Sequence, residues 1–87
     1  MKLEISSKAE KQLRKLSKLD QIVFGKKIRQ VKDSLITKES YLKGFKNTYR
    51  IRIGDYRVVY IRKPNKIYIV LIGHRKEIYL LTKRLLG

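Results

Sequence analysis

The sequence predicts an α+β domain, with a mostly antiparallel sheet covered on one face by helices. Three observations carry that prediction. Apolar residues recur at helical spacing in the first half, β-branched and aromatic runs fill the second, and Gly54-Asp55 separates two of those runs as a two-residue turn. The chain has 87 residues and shows no linker, internal repeat or low-complexity stretch, so residues 1–87 are read as one domain.

The elements follow in order. Lys2-Leu3-Glu4-Ile5 alternates polar and apolar residues, as a short strand does. Ser7 has the form of a helix N-cap, with Glu10 three residues on completing a capping box. Ala9, Leu13 and Leu16 continue at helical spacing. Asp20 is the expected second N-cap, after which Phe24, Ile28, Val31 and Leu35 form one apolar stripe. Two amphipathic helices joined this tightly make an αα-hairpin. Residues 37–47 are polar and irregular, with Gly44 as a turn signal. Runs from Thr48 to Ile53 and from Tyr56 to Arg62 then read as strands, and Lys63-Pro64-Asn65-Lys66 as the next turn. The stretch from Ile67 to Ile72 is almost wholly apolar, which predicts a central strand buried on both faces. Helical character returns from about Lys76 to Leu86. The expected architecture is an N-terminal strand, an αα-hairpin, a three-stranded antiparallel meander and a short C-terminal helix.

Charge narrows the function. There are 23 Lys and Arg against 7 Asp and Glu, for a net charge of +16 at pH 7. Such an excess opposes folding by self-repulsion and draws the chain to polyanions, nucleic acid first among them. An anionic membrane surface and an acidic protein are the other partners that charge alone allows. Cysteine is absent, which excludes a disulfide, a thiolate nucleophile and a cysteine metal site. One His and few carboxylates also argue against catalytic zinc, and neither a metal nor a cofactor is expected. No apolar run reaches the roughly 18 residues of a membrane span, and the N-terminus lacks the apolar stretch of a signal peptide. A cytoplasmic protein without membrane partners is the expectation.

The predicted hairpin concentrates that charge. With Gly54 and Asp55 in the loop, Ile53 faces Tyr56, Arg52 faces Arg57, Ile51 faces Val58 and Arg50 faces Val59. Alternation then sends Arg50, Arg52 and Arg57 to one side of the sheet. Tyr49, Ile51, Ile53, Tyr56, Val58 and Tyr60 go to the other, as a core face under the helices. A solvent-facing strand decorated with soluble residues would explain one arginine. Two arginines directly opposed and a third beside them repel one another, which points to a phosphate-binding patch. The lysines and arginines along the two helices need no such explanation and read as solvated faces that steer a polyanion.

The segment from Gly73 to Tyr79 closes the central strand and enters the last helix. Arg75 extends the basic patch, and Tyr79 is either a core aromatic or a stacking platform for a base. His74 is the lone histidine and a candidate proton carrier, though a structural histidine at a strand end is the simpler reading.

Two stretches carry a family resemblance. Tyr49-Arg50-Ile51-Arg52-Ile53-Gly54-Asp55-Tyr56-Arg57-Val58-Val59-Tyr60 resembles the central hairpin of the RelE/ParE toxin superfamily, and Gly73-His74-Arg75-Lys76-Glu77-Ile78-Tyr79 resembles its later signature. Leu42-Lys43-Gly44 also falls where that family has a leucine and a glycine one residue apart. The resemblance covers essentially the whole chain and implies a RelE-like two-layer fold. It further implies the toxin of a type II toxin–antitoxin system, an endoribonuclease that cuts mRNA in the ribosomal A site. In that reaction the ribose 2′-OH attacks the adjacent phosphate without a metal. Arg50 and Arg52 occupy the positions of two strand lysines in well-studied members. Arg57, Arg75 and Tyr79 match the family's arginine after the turn, late arginine and C-terminal tyrosine. Lysine can lose its proton and act as a base, whereas arginine effectively cannot. Lys43, Lys46, His74 and Lys76 are therefore considered for holding RNA or taking the proton, with Tyr79 or a ribosomal group as further bases.

Other readings of the same residues are a ParE-like inhibitor of DNA gyrase, and a non-catalytic RNA- or ribosome-binding protein. For either kind of toxin the resemblance implies a cognate acidic antitoxin, alongside the ribosome and mRNA for the nuclease. The last helix carries Ile78, Leu80, Leu81, Leu85 and Leu86, more apolar residues than one buried stripe needs. An exposed apolar patch there would suit a partner helix.

Overall fold

A computed structural model describes residues 2–33, 40–41 and 44–86. The chain runs β1 (Lys2–Ile5), α1 (Ser7–Arg14), α2 (Lys18–Lys32), β2 (Ser40–Tyr41), β3 (Thr48–Ile53), β4 (Tyr56–Lys63), β5 (Lys66–His74) and α3 (Ile78–Leu86). Among the described residues the strands form one sheet in the order β1-β5-β4-β3-β2. β1 runs parallel to β5, and the other neighbours are antiparallel. The expected α+β architecture is present. The two-residue β2 is an addition within the segment read as irregular, and it exists only as a short pairing on the edge of β3.

The helix caps lie elsewhere than expected. Ser6, not Ser7, caps α1, its hydroxyl accepting from the Ala9 N–H at 3.0 Å. Ser17, not Asp20, caps α2, accepting from the Asp20 N–H at 3.1 Å. Asp20 instead places a carboxylate in the first turn, where it favours the positive end of the helix dipole. Gln21 reaches back from α2, its side-chain amide donating to the Leu16 carbonyl at 3.0 Å and to the Arg14 carbonyl at 3.4 Å, and so covers the end of α1.

Ser6 also completes the sheet edge. β1 pairs with β5 only as far as Ile69, which leaves the rest of β5 without a strand on that side. The Ser6 N–H donates to the Ile69 carbonyl at 2.9 Å, and its hydroxyl donates to the Val70 carbonyl at 2.7 Å. Farther along, the Ile72 N–H donates to the Gln12 side chain at 2.9 Å. Helix residues thus satisfy strand groups that would otherwise be orphaned. Ser6→Ala should cost about 1–3 kcal/mol, the sum of a cap and a hydrogen bond. Ser7→Ala should stay within about 0.5 kcal/mol, because Ser7 is exposed. Urea unfolding of the two variants checks this.

The core lies in two clusters on opposite faces of the sheet. On one face, Ala9 of α1 and Phe24, Ile28 and Val31 of α2 pack on Ile51, Ile53, Val58, Tyr60, Ile67, Ile69 and Ile72. Three members of the expected α2 stripe are therefore buried; the fourth, Leu35, lies outside the described residues. On the second face, Ile78 of α3 packs on Val59, Val70 and Leu71, with Ile61, Tyr68 and Leu81 around them. The αα-hairpin covers one face as expected, but α3 lies on the other. β5 serves both by alternation, and an irregularity in its pairing with β4 adds one residue to the α3 side. Val59 pairs with Leu71 and Tyr60 with Ile69, so Val70 is the extra residue of a bulge and sits with Leu71 on the α3 side. β5 is the twice-covered central strand that its apolar run predicts. No helix among the described residues is long and apolar enough to cross a membrane.

Candidate functional site: an arginine floor beside the last helix

The hairpin register is the one expected from its turn. Ile53 pairs with Tyr56, Arg52 with Arg57, Ile51 with Val58 and Arg50 with Val59. Gly54 takes a φ of +59° while Asp55 stays at negative φ, so the strained position falls on the residue that tolerates it. Ile51, Ile53, Val58 and Tyr60 enter the helix-side core, with Tyr49 and Tyr56 packed against it. Arg50, Arg52 and Arg57 consequently point out of the other face, the one that carries α3.

The turn backbone holds the two opposed guanidiniums. Arg52 Nε and Arg57 Nη1 both donate to the Gly54 carbonyl at 3.4 Å, and Arg57 Nη1 also donates to the Tyr56 carbonyl at 3.0 Å. Arg57 pairs across β5 with Gly73. A Cβ at Gly73 would lie 3.1 Å from Ile78 Cδ1 and 3.4 Å from Leu81 Cδ1, so α3 sits directly over this glycine. Arg57 is thus flanked by Arg52 on one side and by the helix contact on the other. Burial, followed by the cations Arg52, Arg50 and Arg75, pushes its guanidinium below the ordinary arginine value, with Asp55 opposing. It stays charged near neutrality, since arginine does not give up its proton there. The cost of crowding is therefore carried as electrostatic repulsion, which an incoming anion would relieve.

Arg75 joins this group from 18 positions away in sequence. Its N–H donates to the Asp55 carbonyl at 2.8 Å, which ties the turn after β5 to the hairpin loop. Tyr79 lies in the first turn of α3 and is 68% exposed, which removes the core-aromatic reading. The five residues Arg50, Arg52, Arg57, Arg75 and Tyr79 therefore share one side of the sheet: arginines as floor, α3 as wall.

The remaining candidates are not drawn into that group. His74 pairs with Tyr56 and faces the helix side, its ring edge-on to the Tyr56 ring at 5.9 Å. Lys46 is exposed in the turn before β3, and its carbonyl accepts from the Thr48 hydroxyl. Lys76 is exposed beside Arg75, with its N–H on His74 Nδ1 at 3.2 Å. Lys43 lies outside the described residues. Sequence reasoning passed over Gly54 and Tyr56 as carbonyl anchors, Asp55 as the tether for Arg75, and Gly73 as the seat of α3. The positive φ required at Gly54 was the available signal for the first; the others follow from pairing alone.

Chemically, the floor offers several fixed N–H donors and positive charge, suited to phosphate oxygens. Among the described residues no three of His, Cys, Asp and Glu gather as a metal site.

The comparisons with known proteins agree with this fold. The family described as ParE toxin of type II toxin–antitoxin system, parDE, matches residues 3–79. The isolated RelE toxin of E. coli is 27% identical, with a TM-score of 0.74 over 98% of each chain. A chain of the intact E. coli RelBE toxin–antitoxin complex is 25% identical, with a TM-score of 0.75 over 84% of this chain and 94% of that one. A chain of the RelB–RelE antitoxin–toxin complex of Methanococcus jannaschii is 26% identical, with a TM-score of 0.73 over 90% of this chain and 96% of that one. No curated protein matches. With a family match over most of its length and a RelE-like fold, the chain belongs to the ParE toxin family of type II toxin–antitoxin systems, within the RelE/ParE superfamily.

Proposed function

We propose that this toxin is a ribosome-dependent endoribonuclease. The observation that carries the reading is the convergence of Arg50, Arg52 and Arg75 around the Arg57 guanidinium, on the same side as an exposed Tyr79. A scissile phosphate on that floor would receive charged donors where negative charge develops. When the 2′-OH attacks, the phosphorane gains charge on its equatorial oxygens, and preorganised cations stabilise it without reorganising. The products are a 2′,3′-cyclic phosphate and a 5′-OH. Tyr79 would stack on a neighbouring base and fix the RNA register. The proton of the 2′-OH goes to a group on the ribosome or to water, since His74 faces away, and the departing 5′-oxygen takes up a proton from water to become the 5′-OH. A weak base slows the step rather than preventing it, acid–base help being worth about 10²–10⁴-fold.

The resting partner in this reading is an acidic antitoxin that neutralises the floor. Two apolar surfaces support such a partner. Leu80 is 60% exposed on α3, and Leu19, Ile22 and Val23 are exposed on α2. RelE in the E. coli and M. jannaschii structures is itself held by an antitoxin chain.

Primer extension on a defined mRNA, with and without programmed ribosomes, tests the nuclease. Breaks that require ribosomes and keep register with the A-site codon are expected. A gyrase inhibitor is the competing reading, favoured by the ParE family match and by arginine where a proton-accepting lysine would serve cleavage. Loss of gyrase supercoiling activity with intact mRNA would decide for it.

A further inference from the structure

We infer that His74 is a positioning residue for Arg75, acting through the backbone from the opposite face of the sheet; its bearing on RNA cleavage rests on the function proposed above. The turn that carries Arg75 is pinned at three successive N–H groups. Arg75 N–H donates to the Asp55 carbonyl at 2.8 Å, Lys76 N–H to His74 Nδ1 at 3.2 Å, and Glu77 N–H to the His74 carbonyl at 2.9 Å. Of the three acceptors only the imidazole nitrogen is a side-chain atom. It plays the part that an Asx oxygen plays when it accepts from the amide two residues on. α3 begins at Ile78 directly after this turn, so the same bond fixes where the helix starts and where Tyr79 stands.

The ring is itself held in place. Tyr56 meets His74 edge-on at 5.9 Å and 77°, and Phe24 meets Tyr56 edge-on at 5.7 Å and 76°. Phe24 is buried in α2. Three rings therefore run from the helix layer through β4 to the end of β5, and pairs of this kind contribute about 0.5–1.5 kcal/mol beyond their buried area. For Nδ1 to accept, the neutral imidazole must carry its proton on Nε2.

The segment Gly73-His74-Arg75 then divides three tasks among adjacent residues. Gly73 admits α3, His74 sets the turn from the helix side, and Arg75 delivers its charge to the arginine floor.

Two full-length variants test the inference. His74→Phe keeps an edge-on ring but has no acceptor, whereas His74→Asn supplies an oxygen able to accept from the same amide. In His74→Phe, hydrogen exchange of the Lys76 amide should speed by about 10-fold, as for loss of one hydrogen bond. Ribosome-dependent cleavage should fall by about 10- to 100-fold in kcat. His74→Asn should return both toward wild type, and the urea midpoints should show that all three proteins fold. The chain has a single histidine, so long-range ¹H–¹⁵N spectra of the wild type report its tautomer without assignment, and the Nε2–H form is expected. Wild-type exchange at Lys76 in His74→Phe, no recovery in His74→Asn, or an Nδ1–H tautomer would each overturn the inference. A wild-type protein that cuts no mRNA would sink the nuclease reading instead, and the exchange and tautomer results would still decide whether His74 sets the turn.

Discussion

Replacing Arg57 with alanine is expected to lower ribosome-dependent mRNA cleavage by about 10²–10³-fold while leaving the protein folded. Arg57 is partly buried, as is Arg50, and its guanidinium is bonded to two turn carbonyls, so it is well held before substrate arrives. Its geometry is set by bonds to the Gly54 and Tyr56 carbonyls rather than by the RNA. That preorganisation is what makes a fixed cation effective in a transition state. Stability should move the other way or not at all. Arg57 is disfavoured in the folded chain by burial and by Arg52, Arg50 and Arg75, so its removal relieves repulsion that folding otherwise carries. Cleavage rates on programmed ribosomes, measured beside urea unfolding, read both quantities. A folded Arg57→Ala protein that cleaves at the wild-type rate would remove this residue from the site.

The largest loss of stability is expected from Ile69→Ala, at about 2–5 kcal/mol. Ile69 is fully buried on β5, pairs with Ile5 on one side and Tyr60 on the other, and belongs to the cluster under the two N-terminal helices. Shortening it leaves a cavity that the paired strands on both sides cannot close by collapsing. A domain of this size has about 5–15 kcal/mol in all, and a charge of +16 works against even that. The variant should therefore unfold at much lower urea, or be partly unfolded without it. Ile22→Ala is the matching control. Ile22 is 63% exposed on α2, and its truncation should change stability by no more than about 0.5 kcal/mol. Equal losses from the two substitutions would contradict the placement of the core.

Some of the site was legible before any coordinates. A two-residue loop leaves one register for its hairpin, and the strand period of two then assigns every side chain to a face. For that reason Arg50, Arg52 and Arg57 could be placed together from sequence, and the structure pairs them as expected. Helix starts were less legible. Ser6 and Ser7 are equivalent in local propensity, and only Ser6 also reaches the carbonyls of Ile69 and Val70, which lie more than 60 residues away. Ser17 and Asp20 pose the same ambiguity, because either is a good cap and spacing alone does not rank them.

By itself the sequence determined the fold class, the hairpin register and the arginine face, because periodicity and turn chemistry act over a few residues. Tertiary structure decided the rest. The bulge at Val70 places it beside Leu71, and α3 packs there through Ile78, on the arginine side rather than the αα-hairpin side. The bond from the Arg75 N–H to the Asp55 carbonyl brings the late arginine to the hairpin. His74, adjacent to it in sequence, is left facing the helices, where its ring meets Tyr56. Each of these depends on contacts between segments far apart in the chain, whose energies no local pattern records.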